Sequence, residues 1–144
     1  MTMTSSICSA AASDAGLSAD RLGALVTVAR QAADAGGAEL MRHYGRLSSI
    51  ESKGRIGDLV TNADVAAERV VLEVLGRETP DIAVLAEESG AAGEQDGLRW
   101  CVDPLDGTTN FTHGYPFFAT SIGLTFRQRP ILGAIAVPFR GETY

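Results

Sequence analysis

Four short apolar runs in the second half of the chain constrain the fold more than any other feature of the sequence. They are residues 82–86, 98–102, 119–126 and 131–137, and Gly, Pro and Asp stand at most of their boundaries. Short apolar runs with such boundaries are typical of buried β-strands. The brief connection RQRP at residues 127–130 predicts that the last two runs form an antiparallel hairpin. RGE at residues 140–142 predicts a turn into a further strand.

The first half of the chain predicts two helices. Residues 18–44 carry apolar side chains at roughly helical spacing, and Gly45 follows as a stop signal. Gly36 and Gly37 within this helix each cost ~1 kcal/mol relative to alanine, which predicts close approach of another element; a break in the helix is the alternative. A second helix is expected over residues 62–77, after a short strand or extended entry at residues 58–61.

Two helices followed mostly by strands predict an α+β fold in which helices are layered on an antiparallel sheet. The length of 144 residues suits one domain. Residues 1–17 are rich in Ser, Thr and Ala and lack the basic and apolar regions of a secretory signal. We expect them to be a disordered leader of a cytoplasmic protein, with the folded subdomain over residues 18–144. No stretch approaches the ~18 apolar residues of a membrane-spanning helix.

Charge and cysteine content exclude several functional classes. The net charge of −6, from 12 basic and 18 acidic residues, offers no basic surface for nucleic acid or an anionic membrane, so neither is an expected partner. An acidic protein that handles an anionic substrate needs metal cations to invert the local field. Cys8 and Cys101 lie too far apart in sequence for a paired metal-ligand motif, and two cysteines exclude a disulfide framework.

Acidic residues stand at the ends of two apolar runs. Glu87 and Glu88 close residues 82–86, and Asp103 closes residues 98–102. Adjacent strand ends would bring these carboxylates together, and their repulsion is costly unless a cation lies between them. Oxygen ligands without a His or Cys cluster select Mg²⁺, Mn²⁺ or Ca²⁺. The alternative is that the glutamates form a solvated strand end and that the aspartates serve turns.

The order of residues in DPLDGTTNF, at residues 103–111, favours the metal site. Asp103 and Asp106 are three apart across a proline, so both carboxylates can address one site while the Leu105 carbonyl is left free to coordinate. Residues 107–109 then provide a closely approachable backbone followed by two hydroxyls, as expected where amide N–H groups at a helix start meet a phosphate. Metal and phosphate chemistry are therefore predicted in one segment.

This segment resembles the signature of the inositol monophosphatase family, a group of lithium-sensitive, Mg²⁺-dependent phosphatases. Three further stretches resemble the family's motifs in the same order: KGRIGDLVTNAD at residues 53–64, LAEES at residues 85–89, and PFFATSIG at residues 116–123. Alanine stands in LAEES where glycine is usual. The likeness extends over residues 18–144 and implies the layered helix and sheet sandwich of the sugar-phosphatase type.

The resemblance implies a set of metal ligands. The carboxylates of Glu87 and Asp103 and the carbonyl oxygen of Leu105 would hold a first Mg²⁺. Asp103 would bridge to a second ion, which Asp106 also binds. Two or three Mg²⁺ ions are expected in all, with Mn²⁺ as an alternative. His43 and His113 are isolated, and we expect neither to bind metal.

The resemblance also implies where phosphate and water bind. The amide groups of Gly107 and Thr108 would hold the phosphate. The Thr108 hydroxyl, oriented by Asp64, would position the attacking water together with Glu87, so these three residues form the expected catalytic set. The expected substrate-binding residues are Asp106, Gly107, Thr108 and Thr109.

Two residues of the first motif have alternative roles. Asp64 ends the sequence TNAD, which also fits a capping box at a helix start, and capping and catalysis can coexist. Lys53 is either part of the site or an ordinary solvated charge.

Members of the family are considerably longer, because a second subdomain with a Trp-Asp motif follows the hairpin. Trp100 is the only tryptophan here, and cysteine follows it. We therefore expect the C-terminal subdomain to be absent and the chain to be a fragment of a longer phosphatase; a separate chain or a truncated gene are alternatives. Such a fragment should expose an apolar edge and hydrolyse phosphate esters poorly.

The expected substrate is a small phosphorylated polyol or amino alcohol, with inositol monophosphate first. Alternatives within the superfamily are histidinol phosphate, fructose 1,6-bisphosphate and 3′-phosphoadenosine phosphate. A non-catalytic binding module is the alternative from a different class. The resemblance implies a homodimer for the full-length protein.

Overall fold

The computed structural model describes residues 3–53, 59–92 and 96–144, in which helices dominate the first half and strands the second. The elements are α1 (Met3–Asp14), α2 (Ala19–His43), β1 (Ile50–Ser52), β2 (Leu59–Thr61), α3 (Asn62–Glu78), β3 (Ala83–Ala86), β4 (Gly90–Ala92), β5 (Leu98–Asp106), α4 (Thr108–Thr112), β6 (Ala119–Phe126), β7 (Arg129–Val137) and β8 (Glu142–Thr143). Within these ranges no helix has the length and apolar character that crossing a membrane requires.

Six strands form one sheet in the order β4-β3-β5-β6-β7-β8, and β1 and β2 form a separate antiparallel ribbon. The β6–β7 hairpin is confirmed, with Arg127 and Gln128 at positive φ in its turn, as tight hairpins require. The prediction of an antiparallel sheet is wrong for one pair, because β3 and β5 run parallel. The chain turns back at β4 on the outer side of β3 before β5 pairs with the inner side, so the sheet is mixed.

One face of the sheet carries the helices α1, α2 and α3 and the main core. Trp100 on β5 is fully buried there, and its Nε1 donates to Thr79 Oγ1 at 2.9 Å, which ties the end of α3 to the sheet. Side chains alternate across a strand, so their neighbours point to the opposite face. On that face Cys101 is only half-buried, and Leu85 and Ile135 are 36% and 45% exposed.

The glycine pair in α2 lies where the helix meets the sheet and α3. The helix is continuous from Ala19 to His43, so the alternative of a break is wrong. A Cβ on Gly36 would lie 2.7 Å from Thr120 Cγ2, and one on Gly37 would lie 3.2 Å from Pro138 Cβ. The predicted close approach is therefore confirmed.

The expected disordered leader is wrong for residues 3–14, which form α1 and pack against β7. Ala11 and Ala12 are buried in the main core, and Asp14 pairs with Arg129 at 2.6 Å. Alanine favours helix formation, and its small side chain lets a helix lie close to a sheet. The segment has only Met3 and Ile7 as large apolar residues, too few to predict an ordered helix by their spacing.

Candidate active site

The parallel pairing of β3 and β5 brings their acidic ends to one edge of the sheet. Ala86 lies opposite Val102, and the backbone N–H of Glu87 donates to the Val102 carbonyl at 3.1 Å. The carboxyl groups of Glu87 and Asp103 consequently lie close enough together for Glu87 to raise the pKa of Asp103. The prediction that adjacent strand ends bring these carboxylates together is confirmed.

Asp103 lies in an environment that disfavours its charge. Burial is the largest cause that raises the pKa of Asp103, and the neighbouring carboxylates of Glu87 and Asp106 add to it, so that the pKa reaches about 7. Its Oδ1 atom is buried and has no hydrogen-bond partner among the described residues. The register of β5 against β6 shifts between Asp103 and Asp106, so regular strand pairing is interrupted where the two carboxylates meet. Negative charge is therefore in excess at this point.

Lys53 lies among these acids. Its Nζ donates to Glu88 Oε1 at 2.7 Å and to Glu87 Oε1 at 3.2 Å, and its side chain is 24% exposed. Burial lowers the pKa of Lys53, but the hydrogen bonds and charges of the two glutamates outweigh it and raise the pKa above its ordinary value. The alternative of an ordinary solvated charge does not describe this lysine.

Asp64 occupies the third position of α3, where the predicted capping box is confirmed. The backbone N–H and the hydroxyl of Thr61 donate to Asp64 Oδ2 at 2.8 and 2.6 Å. The other oxygen, Oδ1, accepts the Thr108 hydroxyl at 3.1 Å. Asp64 is 1% exposed, so one buried carboxylate both caps a helix and holds the side chain of the signature segment.

The backbone of the signature segment is held by a glycine and a buried ring. Gly107 has φ +88°, and a Cβ there would lie 2.9 Å from the Phe117 carbonyl oxygen, so a larger residue does not fit. Phe111 is buried in a second apolar cluster that also contains Leu40. The Leu105 carbonyl lies 3.1 Å from Thr108 Oγ1, at the point where the resemblance predicts a metal ligand.

The structure brings the predicted residues into two adjoining groups. Glu87 and Asp106 both lie close enough to Asp103 to raise its pKa, while Asp64, Thr108 and Leu105 are joined by hydrogen bonds. The charge of Asp64 also contributes to raising the pKa of Glu88, mainly a result of burial, and this links the groups. Thr109 is exposed at the start of α4. In the part of the chain that the structure describes, no three His, Cys, Asp or Glu side chains are already arranged around a metal position.

Two acidic residues near the site are in neither the predicted ligand set nor the predicted catalytic set. Glu68 is 4% exposed, and its Oε2 accepts the backbone N–H of Glu88 at 2.8 Å. Glu68 follows Asp64 by four residues on α3, so helical spacing already places the two on the same face. Glu88 is the main partner of Lys53. Residues 54–58 of the first motif lie outside the described residues.

Two hollows adjoin the carboxylates. One of about 600 Å³ lies on the open face of the sheet and is bordered by Glu87, Asp103 and Ser121. The other, of about 380 Å³, is bordered by Asp106, Gly107 and Arg140. The site is thus open on the side away from the helices.

Comparisons with known proteins find similar chains. The Inositol monophosphatase family model matches residues 22–144. An inositol-1-monophosphatase from Synechocystis sp. is 48% identical over 118 residues, which are 81% of this chain and 41% of that protein. A fructose-1,6-bisphosphatase/inositol-1-monophosphatase from Aquifex aeolicus is 41% identical over 119 residues, covering 81% of this chain and 45% of the relative.

Solved structures are also similar to this chain. The extragenic suppressor protein suhB from Bartonella henselae superposes with a TM-score of 0.78 at 41% identity, covering 83% of this chain and 47% of that one. The chain spans less than half the length of each of these three proteins. Since the family match extends from Leu22 to Tyr144 and includes every motif described above, this chain belongs to the inositol monophosphatase family.

Proposed function

We propose that residues 18–144 are the metal- and phosphate-binding subdomain of a Mg²⁺-dependent phosphatase that hydrolyses inositol monophosphate. The observation that carries this proposal is the environment of Asp103. Its buried Oδ1 lacks a described partner, and its charge is opposed by burial and by Glu87 and Asp106. A bound cation would neutralise carboxylates that are held together in this way.

The residues present fit a divalent cation of the Mg²⁺ type. The donor atoms at this edge are all oxygens, from Glu87, Asp103, Asp106 and the Leu105 carbonyl, and Mg²⁺ and Mn²⁺ prefer oxygen ligands. The ammonium of Lys53 already pairs with Glu87, which indicates that the site takes a positive charge. When bound, the cation lowers the pKa of a water molecule and offsets charge on the phosphoryl oxygens.

Asp64 and Thr108 orient the water in this proposal. The Thr108 hydroxyl donates to Asp64 Oδ1, so its oxygen lone pairs are free to accept a hydrogen bond from a water molecule. As the water attacks phosphorus, the P–O bond to the inositol oxygen would break; one proton of the water would move toward Thr108 Oγ1 and that of Thr108 toward Asp64 Oδ1, and the departing inositol oxygen would take up a proton from solvent. Thr61 holds Asp64 Oδ2 and thereby prevents the carboxylate from turning away.

The phosphate is held by the backbone at Gly107 and Thr108, with Thr109 and Asp106 beside it. Gly107 lets the chain turn at positive φ with no side chain against the Phe117 carbonyl. Amide N–H groups suit phosphoryl oxygens because they donate hydrogen bonds without the desolvation cost of a full charge. Similarity to the Synechocystis inositol-1-monophosphatase favours inositol monophosphate as substrate, and similarity to the Aquifex fructose-1,6-bisphosphatase/inositol-1-monophosphatase keeps fructose 1,6-bisphosphate as an alternative.

Phosphate release with several substrates tests this proposal. Inositol 1-phosphate, histidinol phosphate and fructose 1,6-bisphosphate are each supplied with Mg²⁺, with Mg²⁺ and Li⁺, and with a chelator. We expect release from inositol 1-phosphate to be fastest, to require Mg²⁺ and to be inhibited by Li⁺. Release that persists in chelator contradicts the role of the cation, and faster release from another ester contradicts only the substrate.

The ion pairs of Lys53 favour a second candidate, a binding module that does not hydrolyse phosphate esters. In this case the ammonium takes the place of the cation permanently, since Glu87 and Glu88 are both already paired with it. Calorimetric titration with Mg²⁺ separates the two candidates. Saturable binding that is lost in Asp103→Asn supports the phosphatase, and no heat of binding supports the module.

A further inference from the structure

A chain of hydrogen bonds runs from the end of α2 to the start of α3. Glu39, 8% exposed, lies one turn before His43, and Glu39 Oε1 is 3.3 Å from His43 Nε2. The other nitrogen, His43 Nδ1, lies 3.0 Å from the amide nitrogen of Asn62. The oxygen of that amide accepts the backbone N–H groups of Ser48 and Ser49 at 3.1 and 3.2 Å. Three side chains thus connect two helices and a loop.

The hydrogen-bond partners determine how this chain is oriented. Two backbone N–H groups point at one atom of the Asn62 amide, so that atom is the oxygen and the amide nitrogen faces His43. An amide nitrogen only donates, hence His43 Nδ1 is the acceptor. The ring hydrogen of neutral His43 is therefore on Nε2 and is donated to Glu39, which Arg42 also contacts at 2.7 Å.

Asn62 holds the Ser48–Ser49 loop. Both strands of the β1–β2 ribbon connect this loop to the site. Ser49 directly precedes β1, and its carbonyl also accepts the Asn62 backbone N–H at 3.4 Å. β1 pairs with β2, so that Ile50 lies opposite Thr61, which caps α3 and holds Asp64. Lys53 immediately follows β1 and reaches Glu87 and Glu88.

We infer that His43 is a positioning residue, which acts through Asn62 to fix the Ser48–Ser49 loop and hence both Lys53 and the Thr61–Asp64 pair. The inference rests on the proposed function, because those residues are the ones that the proposed reaction uses. His43 touches neither group itself, and its effect is on their placement. Loss of its Nδ1 acceptor leaves the Asn62 amide free to turn and to release the loop.

Two variants distinguish the roles of the two ring nitrogens of His43. In His43→Asn the side-chain oxygen can take the place of Nδ1 and accept from Asn62, while the bond to Glu39 is lost. In His43→Gln the longer amide keeps a donor to Glu39 but places no acceptor at Nδ1. A role limited to the Glu39 contact on α2 predicts that Gln is tolerated better than Asn. The inference predicts the opposite order.

The readout is amide hydrogen exchange in the 144-residue chain. We expect the N–H groups of Ser48 and Ser49 to exchange about 5-fold faster in His43→Gln and at nearly the wild-type rate in His43→Asn. The Thr79 N–H, bonded to the Leu75 carbonyl at 2.8 Å, serves as the internal control and should not change in either variant. Equal rates in the two variants, or faster exchange in His43→Asn, overturn the inference, and so does a general increase that includes Thr79.

Turnover provides the second arm. With inositol 1-phosphate as substrate, kcat should fall in His43→Gln with KM little changed, and His43→Asn should restore most of it. Equal kcat in the two variants contradicts the link to the reaction. If the wild-type protein releases no phosphate, the proposed function fails, whereas the exchange rates still decide whether the chain of hydrogen bonds holds the loop.

Discussion

Asp64 has two oxygens with different tasks, and replacing it by asparagine separates them. The asparagine side chain can still accept from Thr61 with its oxygen, but its amide nitrogen then faces Thr108 and cannot accept the proton of that hydroxyl. We expect Asp64→Asn to lower kcat by about 100-fold or more while the free energy of unfolding falls by only about 1 kcal/mol. Phosphate release and thermal unfolding measure the two effects.

Asp20→Asn is the matched control, since Asp20 also lies in the first turn of a helix but is far from the site. Asp20→Asn should leave kcat unchanged and lower the free energy of unfolding by about 0.5 kcal/mol. Full activity in Asp64→Asn, or loss of activity only through unfolding, would return Asp64 to a capping role alone.

Asp103 is expected to destabilise the fold when no cation is bound. Its pKa is raised from 3.8 to about 7 on folding, so the folded state binds the proton more tightly and stability falls as pH rises through that interval. Asp103→Asn removes this loss of stability. In the presence of a chelator the substitution should raise Tm by about 2 °C or more at pH 8 and change Tm little at pH 4. Unfolding is followed by circular dichroism.

Asp81→Asn removes an exposed carboxylate and should not raise Tm at pH 8, since it loses the contact with Arg21. A lower Tm for Asp103→Asn than for wild type at pH 8 would contradict the excess of negative charge. Addition of Mg²⁺ should stabilise wild type and not the variant, because only the charged residue suits the cation.

At the scale of elements, two of the three glycines of α2, Gly23 and Gly36, allow a direct comparison. A methyl group on Gly36 would meet Thr120 and Val71 at 2.7 and 2.9 Å, whereas nothing lies within 4 Å of a methyl group on Gly23. We expect Gly36→Ala to lower the free energy of unfolding by about 1–3 kcal/mol through overpacking. Gly23→Ala should raise it by up to ~1 kcal/mol through helix propensity.

Urea denaturation of both variants measures this difference. The same substitution in the same helix has opposite expected signs, so helix propensity alone cannot account for the result. Stabilisation by Gly36→Ala would show that α2 can move away from the sheet at little cost.

The helices and strands with strong local patterns can be predicted from the sequence, and their pairing cannot. The ends of α2 and α3 follow from Gly45 and from Pro80, which act within a few residues of themselves. The parallel pairing of β3 with β5 depends on which strand edge the chain returns to after β4, and apolar runs carry no such information. α1 escapes prediction because its packing uses alanines, which look alike in helices and in disordered tails.

The candidate site shows the same division. Asp103 and Asp106 can be predicted from their spacing and from the family signature, and the structure places them together with Glu87. The sequence leaves Lys53 between two roles and gives Glu68 none, since their partners are distant in sequence and the contacts arise only when β1 and α3 fold against β3. The signal available in the sequence for Glu68 is its position four residues after Asp64.

At the scale of the whole molecule, the helices cover one face of the sheet and the carboxylates lie at an edge bordering the opposite face. Leu85 and Ile135 are exposed on that face, and the hollow beside Glu87 and Asp103 opens onto it. A phosphoryl group bound there would remain in contact with water on one side. Hydrogen bonds and charges stabilise a transition state less in water than in a site from which water is excluded.

The 144-residue chain by itself is therefore expected to hydrolyse inositol 1-phosphate slowly even when Mg²⁺ is saturating. We expect kcat/KM at least about 100-fold below that of the Synechocystis inositol-1-monophosphatase, of which this chain matches 41%. The Synechocystis protein trimmed to the matching portion is the control, and it should lose activity by a similar factor. If the trimmed control is slow and this chain is not, its open face does not limit the reaction; if both are fast, the residues at the β3–β5 edge are sufficient for turnover.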